Sequence, residues 1–365
     1  QKQAVTSMSR FIRVNAGAGS GKTRVLACRI AYLIDNYGVS ENSILAITFT
    51  NKVAREMKER VNLMLGVESS CVLISTYHSF CARVLREDIV SLNEGYDRYF
   101  TIIDDEEQVS VCKDLLKKEK VDKEDLNYKE LVNYISYYKC LGTKPSEVET
   151  FNTDQEQKKH FYELYEEYLK EHSYLDFDDL LLKTVSLFEK SERIRNKWAS
   201  RFQYILVDEF QDTNILGYWL VNKLIGDNTV IFLGDDIQKI YGFMGAINGI
   251  FEKYKEKYPI KEIKFCNNYR FRTNESMKDL DKLIRSYGTT YAPSEFTASV
   301  NLKQLSNDTE EDNFIVDGIE KIITNSNDKV AVLVRAGNQG ESIAMKLARK
   351  GILYFNALFR DTDVE

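Results

Sequence analysis

The segment AGAGSGKT at residues 16–23 gives the strongest indication of the fold, because it lies between an apolar run at residues 11–14 and a stretch with helical spacing at residues 21–34. A glycine-rich turn between a buried strand and a helix is the context of a phosphate-binding loop. Its glycines let backbone N–H groups face a phosphate, and the helix N-terminus adds the positive end of its dipole. The segment departs from the usual G-x-x-x-x-G-K-[ST] pattern at Ala16, which replaces the first glycine.

The end of this loop carries two side chains suited to a magnesium nucleotide. The Lys22 ammonium neutralises phosphate charge, and the Thr23 hydroxyl is a ligand for Mg²⁺. We therefore predict that ATP and Mg²⁺ bind here. The alternative is a glycine-rich turn with a surface lysine. The predicted nucleotide contacts in the loop are Ala16, Gly17, Ala18, Gly19, Ser20, Gly21, Lys22 and Thr23.

A second apolar run, at residues 204–207, ends in Asp208 and Glu209. Neighbouring residues of a strand point to opposite sides, so the two acids can have different roles. We predict that Asp208 binds the Mg²⁺ shell and that Glu209 orients and deprotonates the attacking water. Without the phosphate loop, the same pattern would indicate only a strand that meets a solvated turn.

Strand and helix patterns alternate along much of the chain. Apolar runs at residues 11–14, 44–48, 72–75, 204–207 and 230–233 predict buried strands, with helical spacing between the early ones. This pattern predicts an α/β fold with a parallel sheet covered by helices on both faces. Long charged helical stretches predict an all-helical insertion. The predicted parts are a first domain at 1–103 and 175–265, the insertion at 104–174, and a partial second α/β domain at 266–365 with a strand at 330–334.

Composition limits the class of protein. The chain has 365 residues, of which 43% are hydrophobic and 29% charged, and it has no apolar run long enough to span a membrane. With 50 Lys and Arg against 56 Asp and Glu, the net charge is −6, so a nucleic-acid surface would be a local groove. The six cysteines form no C-x-x-C pair, which argues against a zinc site or a disulfide framework. We expect a cytoplasmic protein without a membrane segment.

Six ordered segments together resemble the UvrD/Rep/PcrA-type superfamily 1 DNA helicases. They are AGAGSGKT (16–23), ITFTNKVAREM (47–57), STYHSF (75–80), VDEFQDTN (207–214), GDDIQKIYGFMGA (234–246) and NYRF (268–271). The resemblance implies that the α/β domains are RecA-like and that the chain is an ATP-dependent single-stranded DNA translocase and 3′–5′ helicase. The family's later motifs are absent, so we expect the natural protein to be longer.

The resemblance also assigns roles around the nucleotide. It makes Gln1 the adenine reader and places Arg24 and Tyr269 on the two faces of the base. Gln238 corresponds to the γ-phosphate sensor, and Arg270 corresponds to the arginine finger of the second domain. Each has a simpler alternative: Arg24 as a solvated helix residue, Tyr269 as a packing residue and Arg270 as an interdomain salt bridge.

For DNA, the resemblance implies a single-strand groove in which aromatic side chains stack on bases and polar groups contact phosphates. The corresponding residues are Phe49, Thr50, Asn51, His78, Tyr241 and Phe243. The implied partners are single-stranded DNA and duplex junctions, with protein partners in repair or recombination and a monomeric state. Two other functions stay open: a nucleotide- and DNA-binding module with little hydrolysis, and the motor part of a helicase–nuclease.

Overall fold

The computed structural model describes residues 1–68, 70–121, 126–239, 247, 249–269, 290–291, 301–326, 328–335 and 337–355. The chain divides into two compact units, residues 1–298 and residues 299–365.

The first unit is built on a six-stranded sheet in which every described pair of strands is parallel, with the order β3-β2-β6-β7-β1-β8. The α/β class predicted from the sequence is confirmed. The strands in chain order are β1 (Phe11–Ala16), β2 (Ile44–Thr48), β3 (Leu73–Thr76), β4 (Thr101–Ile102), β5 (Tyr174–Leu175), β6 (Tyr204–Val207), β7 (Thr229–Gly234), β8 (Lys261–Phe265), β9 (Asn267–Asn268) and β10 (Thr290–Tyr291).

Helices cover both faces of this sheet and also form a separate cluster. In chain order the described helices of the first unit are α1 (Lys2–Thr6), α2 (Lys22–Tyr37), α3 (Asn51–Leu65), α4 (Tyr77–Asp88), α5 (Asp105–Lys118), α6 (Tyr128–Cys140), α7 (Thr153–Glu171), α8 (Phe177–Lys190), α9 (Glu192–Arg201), α10 (Ile215–Leu224) and α11 (Ile250–Lys257).

The two-residue period of the central strands explains why both faces are covered. In β7, Val230 and Phe232 belong to one core, and Ile231 and Leu233 belong to the other. The first core is completed by α4 and α8 to α11, and the second by α1, α2 and α3. Strands that are apolar on both faces are typical of a parallel sheet buried between helix layers.

Residues 104–174 contribute three long helices, α5, α6 and α7, which share a third core of their own. The chain leaves and re-enters the α/β part through β4 and β5, a short parallel pair in which Thr101 lies opposite Tyr174. The domain boundaries proposed from the sequence remain predictions.

A buried ionic cluster joins these helices to α8. The ammonium of Lys139, on α6, lies 2.6 Å from Glu166 Oε1, 2.7 Å from Asp176 Oδ2 and 3.0 Å from Asp179 Oδ1. Lys139 is fully buried. Burial raises the pKa of Asp179, and the neighbouring Asp176 carboxylate acts in the same direction, whereas Lys139 opposes the shift. The acids hold the pKa of Lys139 well above its ordinary value despite burial.

The second unit contains the helices Asp308–Asn325 and Gly337–Arg349, which pack through Val316, Ile319, Ile343 and Leu347. The predicted strand at 330–334 is absent from the described residues 328–335, where Leu333 is 95% exposed. A strand needs a paired neighbour, and the described part of this unit offers none. Within the described residues, no helix has both the length and the apolar character needed to cross a membrane.

Candidate functional site

The carboxyl ends of the parallel strands bring the predicted site residues to one edge of the sheet. The phosphate loop follows β1, Thr50 and Asn51 follow β2, and His78 follows β3. Glu209 follows β6 and Gln238 follows β7. The carboxyl edge of an open parallel sheet is the general place for ligands in this class of fold.

The phosphate loop has the backbone of an anion site. Gly19 and Gly21 have φ angles of 71° and 85°, in the left-handed region that favours glycine. Gly21 precedes α2, whose N-terminus has no side-chain cap, so the first N–H groups of the helix stay available for phosphate oxygens. Ala16 is the buried last residue of β1 and does not have a positive φ, so this position does not require glycine.

Lys22 joins the loop to the acidic segment. Its ammonium lies 2.9 Å from Glu209 Oε2 and 3.4 Å from Gln238 Oε1. The Lys22 side chain is 9% exposed, whereas Glu209 is 34% exposed and faces the open edge. The structure therefore brings together three residues that the sequence placed in the catalytic set, although they are up to 216 positions apart.

Strand alternation, predicted from the sequence, does not separate the two acids, because both lie beyond the end of β6. The backbone conformation separates them instead. β6 ends at Val207, and Glu209 takes a left-handed φ of 47° before the turn Phe210–Asp212. This conformation costs a non-glycine residue about 1–2 kcal/mol. It turns the Glu209 N–H toward Asp208 Oδ1, at 3.0 Å.

Asp208 is the predicted Mg²⁺ ligand and is only 3% exposed. Burial raises the pKa of Asp208 to about 7, with a further contribution from Glu209 and an opposing one from Lys22. A bound cation would stabilise the charged form of this buried carboxylate, which Lys22 offsets only in part. The described residues contain no group of three or more His, Cys, Asp or Glu side chains that could hold a metal ion. The Asp208 carboxylate and the Thr23 hydroxyl nevertheless fit Mg²⁺, which binds nucleotides through one or two protein oxygens, water and the phosphates.

Three further residues at this edge were not predicted from the sequence as site residues. Gln211 donates from Nε2 to Glu209 Oε2 at 2.9 Å and accepts at Oε1 from the Asp235 N–H at 3.1 Å. Asp235 in turn accepts from Gln238 Nε2 at 2.7 Å. Asn268 donates to the carbonyl of Ala18 at 3.0 Å. All three lie within quoted motifs, VDEFQDTN, GDDIQKIYGFMGA and NYRF, and this was their only signal.

The predicted base-contacting residues lie around the loop. Gln1 donates from Nε2 to Ser20 O at 2.6 Å, and the Tyr269 N–H donates to Gly19 O at 2.9 Å. Tyr269 is 37% exposed, and Arg24 is exposed in the first turn of α2. Thr23 precedes Arg24 and is half-buried. Arg270 lies outside the described residues.

The predicted DNA residues occupy the other half of the same edge. Thr50 is the N-cap of α3 and accepts from the Val53 N–H at 3.3 Å; Asn51 is exposed beside it and Phe49 is half-buried. His78 is exposed and meets the Phe177 ring edge-on at 5.9 Å. β2 pairs directly with β6, which leads into Asp208 and Glu209, so the two halves adjoin. His78, after β3, lies four strand spacings of about 4.8 Å, or about 19 Å, from the phosphate loop after β1. Tyr241 and Phe243 lie outside the described residues.

Comparison with known proteins shows the family. The UvrD/REP helicase N-terminal domain matches residues 1–259. The chain belongs to the UvrD/REP helicase family. The ATP-dependent DNA helicase PcrA of Staphylococcus aureus (strain Mu50 / ATCC 700699) is 38% identical over 305 residues, which is 82% of this chain and 41% of the relative. PcrA of Staphylococcus epidermidis (strain ATCC 12228 / FDA PCI 1200) is 41% identical over 278 residues, 75% of this chain and 38% of the relative.

The chain thus spans about two fifths of the length of the curated relatives it matches. Within this UvrD/REP chain, the matched region includes the phosphate loop, the acidic segment and β2 and β3 with the residues that follow them. The resemblance inferred from the motifs is confirmed.

Proposed function

We propose that this chain is the N-terminal motor part of an ATP-dependent DNA helicase that moves along single-stranded DNA from 3′ to 5′. The observation that carries the proposal is the network of Lys22, Glu209 and Gln238, which lies on the same sheet edge as the predicted DNA residues. A nucleotide and a strand of DNA bound along this edge would contact neighbouring loops of one rigid sheet.

The residues suggest how hydrolysis would proceed. Phosphate oxygens would compete with Glu209 for Lys22, because Lys22 follows the phosphate loop and its ammonium lies 2.9 Å from Glu209 Oε2. Release from Lys22 would free the Glu209 carboxylate to orient water and accept its proton, while Gln211 continues to hold that carboxylate. Thr23 and Asp208 would hold Mg²⁺, which neutralises charge on the β- and γ-phosphates when bound.

The DNA side of the proposal rests on exposed groups at two helix N-termini. Thr50 and Asn51 begin α3, and His78 lies in the first turn of α4. Polar side chains and free N–H groups at helix N-termini suit phosphate contacts that do not read sequence. We also propose base stacking by Phe49, and an action on duplex junctions as a monomer with partners in repair or recombination.

The test measures steady-state ATP hydrolysis by this chain with and without single-stranded DNA, beside Glu209→Gln. Stimulation by DNA that is lost in the variant supports the proposal. As a matched control, Glu192→Gln removes an exposed acid paired with Arg195, and its rate should be unchanged. Unstimulated or absent hydrolysis with both ligands still bound would overturn the motor proposal and favour a binding module.

Direction requires a separate measurement. Streptavidin on a 5′-biotin should be displaced from a single strand much faster than streptavidin on a 3′-biotin if the chain moves from 3′ to 5′. The reverse preference would contradict the proposed direction and leave the ATPase part of the proposal intact.

A further inference from the structure

A buried arginine fixes the short helix α1 to α2. Arg29 lies on α2, is 1% exposed and donates from Nη1 to the carbonyls of Ala4 at 3.0 Å and Val5 at 2.9 Å. These carbonyls belong to the last turn of α1, where a helix has no internal donors. A helix of five residues is not stable alone, so these bonds and the burial of Ala4 hold it in place.

Arg29 has no acidic partner among the described residues, which is unusual for a buried guanidinium. Burial lowers its pKa, and only the nearby Tyr204 and Tyr32 oppose the shift. Its Nη2 has no hydrogen-bond partner in the described part of the chain. The two carbonyls of α1 therefore supply most of the polar contacts that offset the burial of the guanidinium. Arg29 needs α1 for these acceptors, and α1 needs Arg29 to stay in place.

The position of α1 determines the position of Gln1. The Gln1 carbonyl accepts from the N–H groups of Ala4 at 2.9 Å and Val5 at 3.1 Å, so the helix begins on it. Its side chain donates to Ser20 O at 2.6 Å, beside the phosphate loop. A continuous path of hydrogen bonds thus runs from Arg29 through the backbone of α1 to the Gln1 amide.

We propose that Arg29 is a positioning residue for base selectivity: it holds α1 so that Gln1 accepts adenine and rejects guanine. This inference rests on the proposed ATP function. One Nε2 proton of Gln1 is used by Ser20, and the second proton and Oε1 match the N7 acceptor and N6 amino donor of adenine. Guanine presents O6 in place of the amino group, so two acceptors would face each other.

The experiment compares kcat/KM for ATP and GTP in the full chain and in Arg29→Met, Arg29→Lys, Gln1→Ala and the double variant Arg29→Met with Gln1→Ala. The ratio of kcat/KM for ATP to kcat/KM for GTP does not depend on the folded fraction, because a loss of folded protein lowers both rates by the same factor. We expect Arg29→Met to lower this ratio about fivefold or more, toward that of Gln1→Ala, and Arg29→Lys to lower it less. The double variant should show no further loss, because both changes disable one contact.

Arg13→Met is the matched control. Arg13 is also buried, at 6% exposed, but it pairs with Glu252 and Glu262 and not with α1. It should lower the melting temperature and leave the nucleotide ratio unchanged. The inference would be overturned if Arg29→Met lowered the melting temperature and left the nucleotide ratio unchanged. It would also be overturned if the two single changes lowered the ratio additively in the double variant. Either outcome would make Arg29 purely structural.

If Arg29→Met does not fold, Ala4→Gly loosens α1 without altering Arg29 and should lower the same ratio. If the chain hydrolyses no nucleotide, the Kd values of fluorescent ATP and GTP analogues supply the ratio. Absent hydrolysis would then count against the proposed function, whereas an unchanged Kd ratio in Arg29→Met would count against the inference.

Discussion

At the scale of single residues, the site depends on close approaches that leave no room for larger side chains. Gly234, the last residue of β7, shows this most clearly. A Cβ placed there would overlap Gln211 Oε1 and would lie 2.9 Å from Phe251 Cζ. The glycine is required by this contact and not by its backbone angles, because Gly234 does not have a positive φ. Gln211 can therefore reach Asp235 and Glu209 together only because residue 234 has no side chain.

Gly234→Ala should thus lower both stability and hydrolysis. We expect a loss of about 1–3 kcal/mol in the free energy of unfolding, typical of overpacking. Displacement of Gln211 should also reduce kcat about tenfold or more, since it holds the Glu209 carboxylate. Gly226→Ala is the control, because a Cβ at that position meets no atom within 4 Å. Unchanged kcat in folded Gly234→Ala would mean that Gln211 does not position Glu209.

The sequence predicted the parts of the site that are local. Lys22 and Thr23 are defined by their loop, and Glu209 by the end of its strand. Gln211 and Gly234 could not be assigned in this way, because their roles depend on a contact between segments that are 24 residues apart. Asn268 contacts the loop across 250 positions of sequence.

At the scale of elements, the buried strands were predictable and the exposed or short ones were not. β2 and β6 have the predicted bounds because they are apolar on both faces. β8 was missed because Lys261, Glu262 and Lys264 make this edge strand polar, as edge strands commonly are. β4 and β5 have two residues each, which is too short to show a period.

The ionic cluster around Lys139 determines how α6 and α7 attach to α8. Lys139→Met would leave the buried Asp176 and Asp179 carboxylates and the buried Oε1 atom of the half-buried Glu166 without their shared cation. We expect the free energy of unfolding in denaturant to fall by about 3–5 kcal/mol. Lys197→Met is the control, since its pairs with Glu87 and Asp88 lie at the surface and should contribute no more than about 1 kcal/mol. Equal effects of the two variants would show that the buried cluster is not what joins these elements.

At the scale of the whole first unit, His78 and the phosphate loop lie about 19 Å apart, so α4 needs a physical connection to the catalytic acids if hydrolysis is to respond to DNA held there. A buried contact between α4 and the acidic turn can supply this connection. The hydroxyl of Tyr77, which precedes His78, lies 3.1 Å from Thr213 Oγ1. Thr213 follows the turn Phe210–Asp212, in which the Asp212 N–H donates to the Glu209 carbonyl at 3.0 Å. A shift of α4 on binding DNA would therefore act on the backbone that carries Glu209.

Tyr77→Phe removes this contact and keeps the buried ring. We expect it to reduce the stimulation of ATP hydrolysis by single-stranded DNA by roughly two- to tenfold, the equivalent of one hydrogen bond, and to leave the DNA-free rate within about twofold. Tyr162→Phe is the matched control, because its hydroxyl donates to Thr143 O at 3.1 Å, away from the site edge. Thr213→Val should reproduce the Tyr77→Phe effect, and the double variant should add nothing to it. If both rates fall by the same factor, the Tyr77 hydroxyl supports the catalytic turn alone, and DNA must act on Glu209 by another route.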